Sequence, residues 1–306
     1  MDDFSSNLDH HWFDSHRYAV VDAVWREDVP AHWPWTVVAP DFLGADTDRS
    51  PLLLDMRALP LDEKAELMTL LAQQVRERED PLCSLLLAST REPAALAAHL
   101  AQRMVVRLPG SDVRQQFRFF DPGTFLQLPR LLGSAGMAWL LGPVQAALVP
   151  WSGGWTPLAH PGPDQPSFKL ADAHLAALLR LGVVNRQAMQ VAAPNNAKAW
   201  EQTCASVDQH VQRAMSQHGL QQQADLLAFT SHALQHHPAF DGHPLVQELL
   251  RTLRAAQPED ELDYRELSGR ITPAQWQAIA ADMQARYQSQ SQIQEPSRPI
   301  KEGTQS

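Results

Sequence analysis

At 306 residues, with 44% hydrophobic and 20% charged side chains, the chain has the composition of an ordered globular protein and the length for one large domain or two smaller ones. Its formal charge of −10 and pI near 5.7 argue against the basic face with which nucleic-acid binders attract phosphates. Acids crowd the front, from Asp2, Asp3, Asp9 and Asp14 through Asp22, Glu27 and Asp28 to Asp41, Asp46, Asp48 and Asp55, against Arg17, Arg26 and Arg49. That excess reads as a solvated surface.

The two cysteines, Cys83 and Cys204, are too far apart in apolar or helical contexts for a zinc motif or a disulfide framework. The opening residues lack the basic start and apolar run of a secretory signal, and no stretch approaches the length of a membrane span. A cytoplasmic protein without membrane contact is the expectation.

After an N-terminal segment (1–17), Tyr18-Ala19-Val20-Val21-Asp22-Ala23-Val24-Trp25 has the β-branched, apolar character of a buried strand. Val37-Val38 and Pro51-Leu52-Leu53-Leu54-Asp55 add two short extended segments, the second with proline at its edge. Trp33 and Trp35 flank a proline between them and read as lids over the core, with anchoring of a partner as the other role. Over 62–78 the period changes: Leu67, Leu71 and Val75 recur every four residues opposite Glu63, Lys64 and Glu66, which predicts an amphipathic helix.

Leu82-Cys83-Ser84-Leu85-Leu86-Leu87-Ala88 is a continuous apolar run, the pattern of a strand covered on both faces. Leu96, Leu100 and Met104 then mark a second helix, begun either by Ser89 with Glu92 as a capping box or by Pro93 at the first helical position. Leu108-Pro109-Gly110-Ser111 is turn chemistry.

The segment Phe117-Arg118-Phe119-Phe120-Asp121-Pro122-Gly123 reads as a buried strand running into a capped helix. Alternation sets Phe117 and Phe119 against Arg118 and Phe120, so Arg118 must reach solvent or find a carboxylate. Asp121 followed by Pro122 is an N-cap before the apolar set Phe125, Leu128, Leu131 and Leu132. Leu140-Leu141-Gly142-Pro143-Val144 leads into another strand ending near Val149.

The Pro/Gly-rich stretch 150–166, which holds Trp151 and Trp155, reads as the connection between lobes. The expected organisation is therefore an α/β lobe (18–156) with a mixed sheet and covering helices, a linker (157–169), an all-α lobe (170–288) and a disordered tail (289–306). In the helical lobe Leu170, His174, Leu178 and Leu181 form a stripe ended by Gly182. A long helix over 195–218 is followed by Gly219 at the C′ position, and helices over 226–236 and 245–255 precede a last one opened by Thr272-Pro273. Trp200 and Trp276 are stripe residues.

Several groups invite a chemical role. His232 and His236, spaced i, i+4, with His237, Asp241 and His243 nearby, carry metal-ligand side chains, but His-Glu-x-x-His is absent and Pro238 breaks the helix after the pair. Gly153-Gly154 lacks the following Gly-Lys-Ser/Thr of a phosphate cradle. A G-x-S-x-G elbow is missing, Cys83 sits in an apolar run that raises its pKa, and Asp121 has no neighbouring proton-transfer partner. No metal, cofactor or catalytic residue is expected. A pair of carboxylates assembled by the fold stays open, because such pairs leave no trace in spacing.

Taken in order, Tyr18-Ala19-Val20-Val21-Asp22, Pro51-Leu52-Leu53, the strand from Cys83 to Ala88 with Ser89, His99-Leu100, Phe117-Arg118-Phe119-Phe120-Asp121-Pro122 and Leu141-Gly142-Pro143-Val144 with Trp155 resemble the adaptor, or chaperone, domain of type VI secretion effectors, a family long catalogued as a domain of unknown function. The resemblance covers about 18–156, with Arg118, Phe119, Asp121, Pro122, Gly142 and Pro143 its most specific residues. Two turns depart from the family pattern: Asp22-Ala23 replaces Asp-Gly, and Pro109-Gly110-Ser111 replaces Pro-Asp-Gly.

The resemblance implies a bacterial cytoplasmic, non-catalytic protein that binds a toxic effector and helps load it onto the spike protein of the injection machine. Trp33, Trp35, Trp151 and Trp155 are the candidate aromatic anchors for that partner. An enzyme or small-molecule binder using the strand ends of the α/β lobe, and an immunity protein, are the alternatives.

Overall fold

The computed structural model describes residues 10–77, 80–108, 110–159, 162, 167–191, 196–256 and 262–293. Its contacts divide into two units, 1–205 and 206–306. The first is mixed α/β and the second is all helical.

In the first unit a short helix α1 (His10–Ser15) precedes β1 (Tyr18–Val21), β2 (Trp35–Val37) and β3 (Leu52–Asp55), with helix α2 (Leu61–Glu77) next. Strand β4 (Cys83–Ser89), helix α3 (Pro93–Arg103) and the small hairpin β5 (Val105–Arg107) and β6 (Arg114–Gln116) follow. Helices α4 (Pro122–Phe125) and α5 (Leu128–Leu141) lead to β7 (Val144–Trp151), β8 (Gly154–Ala159), α6 (Asp172–Val191) and α7 (Ala197–His218), whose second half belongs to the second unit.

The main sheet has six strands in the order β2-β3-β1-β4-β7-β8. Every recorded pairing is antiparallel. The apolar runs that predicted strands form its centre: all four residues of β1 and of β3 are buried, as is most of β4. Ala19, Val21, Leu52, Leu54 and Leu86 face a core completed by Leu67, Leu71 and Val75 of α2. Their sequence neighbours point the other way, the side on which α3 packs against β3. Arg17 closes one end of this sheet, bonding both oxygens of Asp55 through Nε at 3.1 Å and one through Nη2 at 2.7 Å.

The structure corrects the sequence reading in several places, beginning with the first strand, which ends at Val21 and passes into a 3-10 turn over Ala23–Asp28 instead of running to Trp25. Residues 117–120 form no strand. Phe117 N–H still bonds across the hairpin to Met104 O (2.7 Å), and after it the backbone is consumed locally, with Phe119 N–H donating to Phe117 O (3.0 Å) and Asp121 N–H to Arg118 O (3.2 Å). A tight bend therefore buries Phe119 and Phe120 together instead of on opposite faces. Strand β6 ends before them, at Gln116.

The stretch read as the connection between lobes is instead largely the β7–β8 hairpin. Ser152 (φ 49°) and Gly153 (φ 90°) supply the two left-handed residues of a two-residue turn. Its prolines sit where no donor is lost: the β4–β7 ladder ends at Leu86–Leu148, short of Pro150. Pro157 lies on edge strand β8 opposite Leu148. Counted from the turn, that is a pair whose β8 N–H would face away from β7. Of the expected linker, 157–159 are strand, and 160, 161 and 163–166 lie outside the described residues.

Gly182 does not end a helix, for α6 runs through it to Val191 and buries Val183, Val184, Gln187 and Ala188 beyond it. A mid-helix glycine costs about 1 kcal/mol relative to alanine. Burying three apolar side chains outweighs that cost.

A last correction concerns the tail, where the final helix, α11 (Pro273–Ile293), continues past 288; 294–306 lie outside the described residues, as does Pro109 in the expected turn.

The second unit contains the end of α7, then α8 (Gln223–Gln235), α9 (Pro244–Ala255), α10 (Tyr264–Gly269) and α11 (Pro273–Ile293). Gly219 (φ 72°) closes α7 as expected, with its N–H bonded to Met215 O at 3.1 Å. Phe229, Phe240 and Tyr264 are fully buried, with Phe229 5.3 Å from the His218 ring and 4.9 Å from Phe240. None of the described helices is long and apolar enough to cross a membrane.

Candidate partner-binding cleft

The joint at Asp121-Pro122-Gly123 forms one wall of a cleft in the first unit. Asp121 has extended backbone angles, and its Oδ1 accepts the Thr124 N–H at 2.8 Å, satisfying one of the otherwise orphan donors of α4. Pro122 opens the helix, where its missing N–H costs nothing. The Gly123 carbonyl accepts two side-chain bonds, from Trp200 Nε1 at 2.8 Å and from Gln127 Nε2 at 2.9 Å.

Position 123 is closely packed, so a side chain larger than glycine would press on Trp200 by a few tenths of an ångström. A Cβ at position 123 would lie 3.2 Å from Trp200 Cζ2 and 3.5 Å from Trp151 Cζ3. Those two indoles pack with centroids 4.7 Å apart at 41°. Polar bridges tie α6 to the same joint: Asn185 Nδ2 donates to Thr124 Oγ1 at 3.1 Å, and Gln127 Nε2 donates to Asn185 Oδ1 at 2.5 Å. These bonds account for α6 and the start of α7 belonging with the sheet instead of with the second unit.

The cleft has a volume of about 460 Å³, within the range of ligand pockets. Val75, Pro81, Pro122, Pro150 and Trp151 give it an apolar floor, and Met189 and Arg186 on α6 form one rim. Asp80 and Asp121 contribute carboxylates, and Ser152 and Asn185 neutral polar groups. Arg186 and Asp80 are exposed, and neither has a hydrogen-bond or ion-pair partner among the described residues. Trp151 Nε1 is buried without an acceptor. This combination of apolar floor and unpaired charge can grip a side chain while reading the charge beside it.

Arg118 finds both predicted outcomes at once, contacting Asp22 at 2.5 Å while its side chain stays 46% exposed. Its guanidinium lies 5.3 Å from the centre of the Phe120 ring. Asp22 also caps the turn after β1 by accepting Val24 N–H at 3.2 Å. Phe119 packs inside, 6.0 Å from Phe120.

Gly142 and Pro143 lie apart from the cleft. Gly142 (φ 50°, ψ −107°) ends α5 directly beneath His99. The Pro143 carbonyl accepts Ser89 Oγ–H at 3.0 Å. The resemblance thus marks two structural joints, of which the one at Asp121 borders open space.

Of the four candidate tryptophans, Trp151 alone lines the cleft. Trp35 is 37% exposed on edge strand β2. Trp33 is half-buried against the sheet core. Trp155 is corrected: it lies on β8 at 2% exposure inside the core, because the hairpin turns it inward. Sequence reasoning missed Arg186, Met189 and Asn185 and treated Trp200 as an ordinary stripe residue. The charged Arg186 between the apolar Leu179, Val183 and Met189 of α6 was the available signal.

The histidines do not converge. His232 Nδ1 pairs with the Tyr264 hydroxyl at 2.9 Å, His237 Nδ1 accepts Ala239 N–H at 3.1 Å, and His243 Nδ1 accepts Leu245 N–H at 3.2 Å. Among the described residues no three metal-ligating side chains gather. His232 and His236 instead stack on Trp276, with centroids 4.2 and 4.6 Å away. Burial, with a smaller contribution from His236, lowers the His232 pKa to about 4. Cys83 is fully buried, which pushes its thiol well above the ordinary range and away from nucleophilic use.

No curated protein and no solved structure matches the chain. Residues 17–135 match the family model of a domain of unknown function (DUF4123), and the stretch from Arg17 into α5, with the cleft-lining Asp121-Pro122-Gly123 joint, carries that domain.

Proposed function

We propose that this chain is a non-catalytic adaptor that binds a type VI secretion effector and promotes its loading onto the spike protein. The observation that carries the reading is the Asp121-Pro122-Gly123 joint. It lies inside the matched domain, belongs to the residues that resemble the effector adaptors, and walls a cleft with an apolar floor and unpaired rim charges.

An adaptor needs a surface that is incompletely satisfied when free and becomes satisfied on binding. The cleft fits that need, since Arg186 and Asp80 are exposed without partners among the described residues and Met189 is 60% exposed. Burying such groups against complementary ones concentrates binding energy in a few contacts. The charge of −10 adds long-range attraction for a basic partner and sensitivity to salt.

Co-expression with the effector encoded beside it, followed by size-exclusion chromatography in mild salt, tests the proposal. A single co-eluting peak is expected, weakened by Met189→Glu. Two separate peaks would count against a stable adaptor complex.

A further inference from the structure

The outward face of α6 has a pattern that extends past the cleft rim formed by Arg186 and Met189. Asp172, Ala176, Leu179, Gly182, Arg186 and Met189 are all exposed, at helical spacing. Leu179 is 43% exposed in the middle of this face. Neither Asp172 nor Arg186 has a partner among the described residues.

The arrangement is symmetric about Leu179. Asp172 and Arg186 lie seven residues to either side of it, and Ala176 and Gly182 lie three to either side. Seven residues bring an α-helix back to within about 20° of the same face. Laid antiparallel on a copy of itself about Leu179, α6 sets each Asp172 against the Arg186 of the other copy. It also sets each Ala176 against a Gly182, where the absence of bulk lets the helices approach to about 8 Å.

We infer that α6 is a self-association surface, pairing two copies of this chain about a twofold axis through Leu179. An isologous interface requires such self-complementarity, with residue i meeting j and j meeting i. The opposite charges are spaced so that both pairs form at once, and the exposed leucine is covered in the same step.

The contact is modest. A seam of one helix from Asp172 to Arg186 is about 21 Å long. It buries less than the roughly 1,200 Å² typical of stable complexes. The dimer is therefore weak, populated at high micromolar concentrations. This inference does not depend on the adaptor reading; because Arg186 also lies on the cleft rim, an effector seated there and a second copy would compete for it.

Sedimentation equilibrium of the full chain, over a series reaching the high micromolar range, tests it. The wild type should show a concentration-dependent monomer–dimer equilibrium. Asp172→Lys and Arg186→Glu should each weaken it about tenfold or more, since each replaces two attractive pairs with two repulsive ones. Mixing these two variants should restore a heterodimer, because the lysine introduced in one then meets the glutamate introduced in the other, while the remaining native Arg186 and Asp172 form the second pair. The double variant should likewise self-associate. Leu179→Arg should abolish pairing, with unchanged circular dichroism showing that the fold survives. A wild type that stays monomeric throughout, or single variants that associate as well as the wild type, would overturn the inference.

Discussion

Replacing Gly142 with alanine should destabilise the first unit by about 3 kcal/mol, and the cost divides into two separable parts. The first is backbone strain. At φ 50° and ψ −107° the residue occupies a region that glycine populates readily and a β-carbon makes expensive, at a cost of roughly 2 kcal/mol. The second is a collision, because the new Cβ would lie 2.3 Å from His99 Cε1 and 2.7 Å from His99 Nε2. The imidazole must then leave its place, breaking its 3.0 Å bond to the Leu140 carbonyl at a further cost of about 1 kcal/mol. Urea unfolding of the wild type, Gly142→Ala, His99→Ala and the double variant forms a cycle that isolates the second part. In the His99→Ala background the glycine substitution should cost only the strain, leaving a coupling of about 1 kcal/mol. Strictly additive single effects would refute the assignment of the collision to His99.

Asp121→Ala removes the side-chain acceptor for Thr124 N–H and should lower stability by about 1 kcal/mol. Effector binding should weaken in parallel, and a loss of binding at unchanged stability would identify Asp121 as a contact residue. The second unit should lose stability in mild acid. His232, held at about 4 by burial, binds a proton more readily in the unfolded chain, where its pKa is ordinary. Its contribution is therefore fully present above about pH 6.5 and falls by roughly 2 kcal/mol as the pH drops toward 4. Thermal melts of wild type and His232→Phe between pH 7 and pH 4.5 check this: the variant should show the shallower decline, and equal slopes would assign the acid sensitivity elsewhere.

Much of the α/β unit was legible in the sequence because its signals are local. The apolar runs at 18–25, 51–55 and 82–88 supplied strands β1, β3 and β4, the first only as far as Val21, since a strand buried on both faces needs an unbroken apolar run. The four-residue recurrence of Leu67, Leu71 and Val75 became the buried face of α2. Asp121 with Pro122 became a cap and first helical residue, because capping depends on backbone groups only a few positions away. Short-range rules failed where two conformations suit the same letters. Phe117 to Phe120 have the composition of a strand, yet the chain spends their backbone on a bend. Pro150, Gly153 and Pro157 look like a linker but occupy a turn and strand positions whose donors are not required.

The sequence alone, then, determined the order of an α/β region before a helical one, the strands at the centre of the sheet and the cap at Asp121. Tertiary structure decided the cleft. Its walls depend on Trp200 reaching Gly123 across 77 positions, on Gln127 meeting Asn185 across 58 and on Asn185 meeting Thr124 across 61. Contacts at such separations leave no periodicity within any one segment, because each residue satisfies its own helix or turn while its partner is chosen by packing. The same holds for Arg118 and Asp22, 96 positions apart: the chain announces an arginine in need of a carboxylate, and only the fold selects which one.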